Sequence, residues 1–551
     1  MTEAIDAHIH HWVAGPKYDA AQVELYRTLS RAAGIGHSLQ LGSVGEGGAY
    51  PTVEQLRVCN DQTMALVRDF PDLFSGLVYV NPSHAQNALD EINRCVRDGN
   101  LCGIKLWVSN KASDPRVFPV VELAIKLDIG ILQHTWNKTV QQGADESMSK
   151  DVVELARRYP EMRMQVAHLT GINFWGVLDL APFPNVILDT SGGQPQSGLV
   201  EHAVRHLGAD RVIYGSDWPI RDLPCQIARV NRAAVSAGDK KKILRGNAVR
   251  FWKIPDAAAK KAVKASGKPA VQVPEINTAP VVSKLVDVNA WFGPYPSGRH
   301  FPGTVARLEK ALIEAGVTTA HVAPTEAIFG HEPAEDCLRL AGQLEGSTRL
   351  KTALCLRANQ PVDVRRLPEL VQKTGARILH LLPAYHGYAV DAPCVVELVK
   401  FARELGLLCA VHVRLEDRRC TDPRLLTEDV PLDALVRLAK AVEPLPLLAL
   451  NAFGPDSRQL LKDSSNILCD LSMIESGNTL PDQCKELPAE QVYPRLVFGS
   501  HASFLYPWSV AAKLTSPLLD AAQREALAAG NFERVMQSFV PTATTAPVGA
   551  V

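Results

Sequence analysis

The 551-residue sequence has no CxxC pair among its eleven cysteines, no apolar run long enough to cross a bilayer and almost no net charge. The cysteines are odd in number and scattered, which argues against a disulfide framework or a thiolate zinc knuckle; reduced thiols in a cytoplasmic protein are expected. A formal charge of −1 leaves no overall field to draw nucleic acid or an anionic membrane. Met1, Thr2 and Glu3 supply no basic n-region and no apolar h-region follows, so a secretory signal is not expected, nor is a membrane span. What is present is ordinary globular composition, 46% apolar and 21% charged. The length is more than one core usually holds, roughly 250–300 residues, so more than one domain is expected.

Short apolar runs alternate with amphipathic helical stretches along the chain. HSLQLGS, SGLVYVN, CGIKLW, IGILQHTW, RMQVAHLT, NVILDTSG and RVIYGSDW read as buried strands, and VVELAIKL and KDVVELARRY as helices between them. Such alternation predicts a parallel sheet with crossover helices. With DAHIH as the first strand the count reaches about eight, enough to close a (β/α)8 TIM-type barrel over residues 1–255.

The pattern stops in an Ala-, Lys- and Pro-rich stretch at 256–283, read as a linker, and then restarts. LVDVNAW echoes AIDAHIH, NILCD echoes NVILD, LVFGSHASF echoes VIYGSDWPI, and AAGNFERVM echoes LRGNAVRFW. Gly215 to Gly246 and Gly499 to Gly530 are both 31 positions, while Asp6 to Gly215 is 209 and Asp287 to Gly499 is 212. The expectation is two tandem (β/α)8 barrels, the second over 284–538, followed by a poorly ordered tail at 539–551.

Chemistry concentrates in the first half. Asp6, His8 and His10 alternate, and on a strand alternate residues share a face. A lone HxH could be no more than a crowded polar patch, and GSDWP no more than a tight turn. Barrel active sites, however, lie at the C-terminal ends of strands, where His134, His168 and Asp217 also fall. His8, His10, His134 and Asp217 together suit one divalent metal, expected to be zinc, with a position left for water. Lys105 ends the fourth strand, where an ion pair with an anionic substrate is the favoured role over a carboxylated, metal-bridging lysine or a structural one. Trp136 and Trp218 flank two of the candidate ligands and are expected either to wall the pocket or, equally, to serve as aromatic packing under the loops; Arg221 is a candidate anion contact. GSVGEGGAYP lacks the spacing and the Lys-Ser/Thr ending of a phosphate loop and reads as a loop over the mouth.

DAHIH, QHTW, AHLTG, YGSDWP and ILRGNAVRFW together resemble the amidohydrolase superfamily, in its amidohydrolase-2 branch of decarboxylases and lactonases, over residues 1 to about 255. The resemblance implies metal ligation by His8, His10, His134 and Asp217, with His168 orienting the bound water or polarising the substrate. Hydrolysis of a lactone or amide is then expected, Asp217 taking the proton of the activated water and passing it on while His168 bonds the oxyanion. Non-oxidative decarboxylation of an aromatic or muconate-type acid is the alternative, and a scaffold with a vestigial site the third reading. The substrate is expected to be a small carboxylate-bearing or cyclic compound.

In the second half Asn289 and Trp291 replace the two histidines, Asn451 stands for His168 and His501 for Asp217; His380, His412 and Asp287 remain. Tryptophan does not ligate and neutral Asn is a poor zinc ligand, so this mouth is expected to hold no metal. Its expected role is to pack as a pseudo-symmetric partner, giving an intramolecular pseudo-dimer.

Overall fold

A computed structural model of the chain describes residues 3–11, 17–42, 48–172, 174–254, 280–296, 302–476 and 480–539. The expected linker up to 279, the tail from 540 and part of the GSVGEGGAYP loop, 43–47, lie outside the described residues. The chain divides into two compact units. The first comprises Met1–Thr278 with the short stretches Arg418–Pro423 and Ser476–Asn478; the second comprises Ala279–Asp417, Arg424–Glu475 and Thr479–Val551.

In the first unit the predicted alternation gives eight parallel strands in sequence order: β1 (Ala4–Ile9), β2 (Ile35–Gln40), β3 (Phe74–Tyr79), β4 (Gly103–Leu106), β5 (Gly130–Gln133), β6 (Met164–Val166), β7 (Val186–Asp189) and β8 (Val212–Ile213). The backbone just beyond β8 bonds back to β1: Ala7 N donates to Tyr214 O (2.9 Å), Asp217 N to His8 O (2.8 Å) and His10 N to Trp218 O (2.7 Å). These bonds bring the first and last strands together, as a TIM-type barrel requires.

Local chemistry sets the crossover helices. Asp19 caps Ala20–Ala32, and Thr52 with Gln55 forms a reciprocal capping box at the start of Val53–Asp69. Each cap satisfies backbone donors that would otherwise be orphaned, typically worth about 1 kcal/mol. Ile5, Ala7, Leu39, Leu77, Leu132, Ala167, Ile187 and Ile213 form a core with Trp252 and Ile254. Trp252 sits at the N-terminal ends of β4 and β5, its Nε1 donating to Gln165 Oε1 (2.7 Å). Gly103 and Gly130 make room for it, since a Cβ at either would fall 2.5 or 3.0 Å from its ring. With that end plugged, the C-terminal ends of the strands are left for chemistry.

The second unit has the same strand order in two parallel sheets. One contains β9 (Val286–Phe292), β10 (Thr319–Pro324) and β11 (Leu350–Thr352). The other contains β12 (Leu354–Cys355), β13 (Ile378–Leu381), β14 (Leu408–His412), β15 (Leu447–Leu450), β16 (Ile467–Asp470) and β17 (Leu496–Val497). This corrects the expectation of a second eight-stranded ring. The ladder divides at Ala353, whose N–H turns to Val322 O (2.8 Å) while Leu354 pairs onward with β13. An isolated bridge joins Ala290 to Ala502, the counterpart of Ile9 to Trp218.

Candidate metal centre and its cavity

His8 and His10 reach the mouth of the first unit from the end of β1. The register shifts between Asp6 and Ile9, and Asp6 does not join the converging donors. Its carboxylate instead accepts from His8 N (3.2 Å) and Ser216 N (2.9 Å), fixing β1 against the turn that carries Asp217. The period-two row of three is thereby broken by a local irregularity of the kind common beside active sites. Burial, only partly offset by these bonds, pushes the Asp6 carboxyl up to about 7.

Asp217 has a positive φ of 68°, and His168, Leu169 and Thr170 have φ of 66°, 45° and 64°. Left-handed conformations at non-glycine residues cost energy and cluster at functional sites. Asp217 Oδ1 lies 3.5 Å from both His8 Nε2 and His10 Nε2. Among the described residues two donor sets fall within 4.8 Å of mutual contact: His8, His10 and Asp217, and His8, His168 and Asp189. His134 is in neither set; its Nδ1 stands 3.2 Å from His168 Nε2.

Each of the three imidazoles is held from outside by an acceptor. His8 Nδ1 faces Asp189 Oδ2 (2.8 Å), His10 Nδ1 faces Gly42 O (2.9 Å), and His134 Nε2 faces Glu146 Oε1 (2.9 Å). Carbonyl and carboxylate oxygens only accept, so in a neutral ring the outer nitrogen carries the proton and the inner one presents its lone pair. Among the described residues, His8 Nε2 is a buried nitrogen without a hydrogen-bond partner. Donor atoms sharing a four-coordinate ion at about 2.0–2.2 Å stand roughly 3.3–3.5 Å apart, close to the spacings here. The residues therefore fit a divalent cation.

The electrostatics suit the same use. Burial lowers His8, His134 and His168, the last well below the usual histidine value, and so favours their neutral forms. Burial alone would raise Asp217, but His10, His168 and His8 outweigh it and hold the carboxyl well below its usual range. Asp189 is likewise depressed, burial being outweighed chiefly by His8. Neutral imidazole and ionised carboxylate are the protonation states a cation binds.

A cavity of about 420 Å³ opens over this cluster, lined by His8, His10, Lys105, His134, His168, Asp217 and Arg221. Lys105 is 1% exposed, and among the described residues its ammonium has no hydrogen-bond or ion-pair partner. Burial brings it down to about 8, against the opposing pull of Asp189 and Asp217. Trp136 lines the cavity, carrying the Lys138 ammonium 5.7 Å from its ring centre. Arg419, of the short stretch Arg418–Pro423 in this unit, stands 4.8 Å from the same ring.

Trp218 departs from the first of its two expected places, the cavity wall. Its backbone pairs with Ile9 and its ring packs on Tyr26 at 4.7 Å, in a separate small pocket beside His11. One residue beyond Asp217 the side chain takes the opposite direction, and Trp107, not Trp218, joins Trp136 in the cavity wall.

Two residues were hidden from sequence reasoning. Asp189 served there only as the end of an NVILD echo, although a carboxylate closing a strand at the mouth was a usable signal. Glu146 lies in the loop after β5, with nothing in GADESMS to mark it.

Residues 5–254 match the amidohydrolase family. A curated relative, gamma-resorcylate decarboxylase of Polaromonas sp. (strain JS666 / ATCC BAA-500), is 33% identical over 70 residues. That stretch is 13% of this chain and spans only 21% of the relative. Among solved structures, 2,6-dihydroxybenzoate decarboxylase from Rhizobium is 18% identical, with a TM-score of 0.40, over 46% of this chain and 99% of that one. 5-Carboxyvanillate decarboxylase from Sphingomonas paucimobilis is 16% identical, TM-score 0.37, over 46% and 100%. A dihydroxybenzoic acid decarboxylase from Polaromonas sp. JS666, described with bound manganese and 2-nitroresorcinol, is 17% identical, TM-score 0.39, over 46% and 98%.

In the second unit Trp291 occupies the strand ends. It is fully buried, with His412 at 5.2 Å and His380 at 5.3 Å between ring centres. His380 Nδ1 meets His412 Nε2 at 2.7 Å, and Asn289 Nδ2 donates to Asn451 Oδ1 (2.8 Å) and Asp470 Oδ2 (2.9 Å). Among the described residues the converging donor groups are both in the first unit. No helix among them is long and apolar enough to cross a membrane.

Proposed function

We propose that the first unit is a metal-dependent, non-oxidative decarboxylase of a small aromatic acid. The observation that carries this reading is Lys105: a buried ammonium, unpartnered among the described residues, facing the same cavity as the donor cluster, where an aryl carboxylate would satisfy it. Trp107 and Trp136 offer flat walls to a planar ring. The local match to a decarboxylase favours this reading over lactone or amide hydrolysis, the main expectation from sequence.

His8, His10, His134 and Asp217 are the residues assigned to hold the cation; three nitrogens and a carboxylate suit zinc or manganese. When bound, it supplies Lewis-acid charge that polarises a substrate oxygen. Lys105 anchors the carboxylate, and the tryptophans and Arg221 fix the ring. Decarboxylation needs one proton delivered to the ring carbon as the bond to carbon dioxide breaks. Asp217, held ionised, is assigned to take that proton from water in the cavity and pass it to the ring carbon, with His168 lining the same cavity beside it.

The second unit is read as a degenerate copy. Asp287, His380, His412, Asn451, Asp470 and His501 lie in it in the same order as Asp6, Lys105, His134, His168, Asp189 and Asp217.

The deciding experiment sets carbon dioxide release from hydroxybenzoates beside hydrolysis of lactones, using metal-loaded protein in deuterated water. Carbon dioxide with deuterium at the vacated ring carbon supports the reading. Lactone opening without carbon dioxide release overturns it.

A further inference from the structure

Glu146 occupies an unusual position relative to His134. It lies in the loop between β5 and the helix Ser149–Arg158, twelve positions beyond the imidazole it meets. Only 5% of the residue is exposed. One carboxylate oxygen, Oε2, is tied down by its own loop: it accepts from Gly143 N (3.2 Å) and Gln142 Nε2 (3.2 Å), and Lys138 Nζ stands at 2.7 Å. The other, Oε1, is left to His134 Nε2 at 2.9 Å. The loop is anchored independently through Ser147, whose Oγ accepts from Ala112 N (2.9 Å) and Gln133 Nε2 (3.2 Å).

His134 has two possible neutral tautomers, and only one is useful at the mouth. With the proton on Nε2, the Nδ1 lone pair points towards His168 Nε2, 3.2 Å away among the donors. With the proton on Nδ1, that lone pair is lost and Nε2 would face a carboxylate without a hydrogen between them. The fixed acceptor at Oε1 excludes the second arrangement. His8 receives the corresponding restraint from Asp189 at the end of β7, within the barrel, whereas His134 depends on a loop residue.

We propose that Glu146 is a positioning residue of the metal centre, setting the tautomer and ring orientation of His134 so that Nδ1 faces the cation. This rests on the reading of His8, His10, His134 and Asp217 as the ligands.

The test is metal affinity of the full chain, stripped and titrated with zinc or manganese against a chromophoric chelator, together with the visible spectrum of the cobalt-loaded protein. Glu146→Ala and the near-isosteric Glu146→Gln are expected to bind about 10- to 100-fold more weakly than wild type and to shift the cobalt bands. Ser147→Ala loosens the same loop without touching His134 and is expected to stay within about threefold, with unchanged bands. Wild-type affinity and spectrum in both Glu146 variants overturn the proposal, as does an equal loss in Ser147→Ala, which would make the effect one of loop order. A wild-type chain that takes up no metal overturns the parent reading, and this proposal with it.

Discussion

Asp189 and Asp470 end corresponding strands, β7 and β16, and both are fully buried. Asp189 meets the imidazole of His8 and is held far below the usual carboxylate range; Asp470 meets the amide of Asn289 and is pushed up to about 6 by burial. Equal burial thus gives opposite charge behaviour, and the partner decides which. The Asn289 amide satisfies the geometry of the buried Asp470 carboxylate without offsetting the cost of burying its charge, as the His8 ring does for Asp189. Asp6 and Asp287 show the complementary case. Each accepts from the backbone N–H of a serine across the closing strands, Ser216 or Ser500, at 2.9 Å, and each is raised to about 7. The two units therefore share the groups that hold the first and last strands together and differ in the groups that could hold a cation.

The largest expected contrast comes from removing a donor. His8→Ala should abolish metal uptake and cut turnover by on the order of 10³-fold or more, corresponding to several kcal/mol of lost charge stabilisation. His412→Ala, at the place in the second unit matching His134, should leave metal content unchanged. Elemental analysis of both purified variants checks the pair, and metal lost from the His412 variant would undo the contrast.

Next comes Trp291, buried beside His380 and His412 at the strand ends of the second unit. Trp291→Ala should cost about 3–5 kcal/mol in denaturant unfolding of the second unit, because the cavity left behind cannot fully collapse. His10→Ala, at the matching position in the first unit, should act on metal uptake.

A smaller effect is expected at Lys105. Lys105→Met should raise KM for an aryl carboxylate roughly 10- to 100-fold, the equivalent of about 1.5–3 kcal/mol for a charge-assisted bond, with metal content unchanged. Steady-state kinetics beside metal analysis separate substrate binding from cation binding.

The smallest effect concerns Asp287. Its folded value of about 7 lies above the unfolded value of about 3.9. A raised carboxyl contributes stability that is complete below the unfolded value and is lost as pH rises through the folded one. Thermal unfolding of wild type and Asp287→Asn at about pH 5 and about pH 8 should show the wild type losing ground to the variant at the higher pH. A constant difference across that range would remove Asp287 as a source of pH dependence.

Much of the first unit was legible in the sequence because apolar runs of fixed length mark buried parallel strands. IGHSLQ, FSGLVY, GIKL, GILQ, MQV and VILD are all strands, and Lys105, His134 and His168, which close or follow three of them, line one cavity. The departures have local causes that periodicity does not encode. Asp6 leaves the histidine row at a register shift, Trp218 turns behind the left-handed Asp217, and the ladder of the second unit divides at Ala353. Glu146 was invisible for a different reason: a loop carboxylate acquires meaning only when the chain returns it to the imidazole it left twelve positions earlier.

His8, His10 and Asp217 all sit where the beginning and end of the first ring meet, and Asp6 pins the Ser216 backbone between them. A substitution that parted this junction by a fraction of an ångström would scatter the donors while the remaining strand pairs kept the unit folded. Damage there would be silent in a melting curve and conspicuous in a metal-uptake assay, so a screen for stable variants would let through chains that no longer gather the donors.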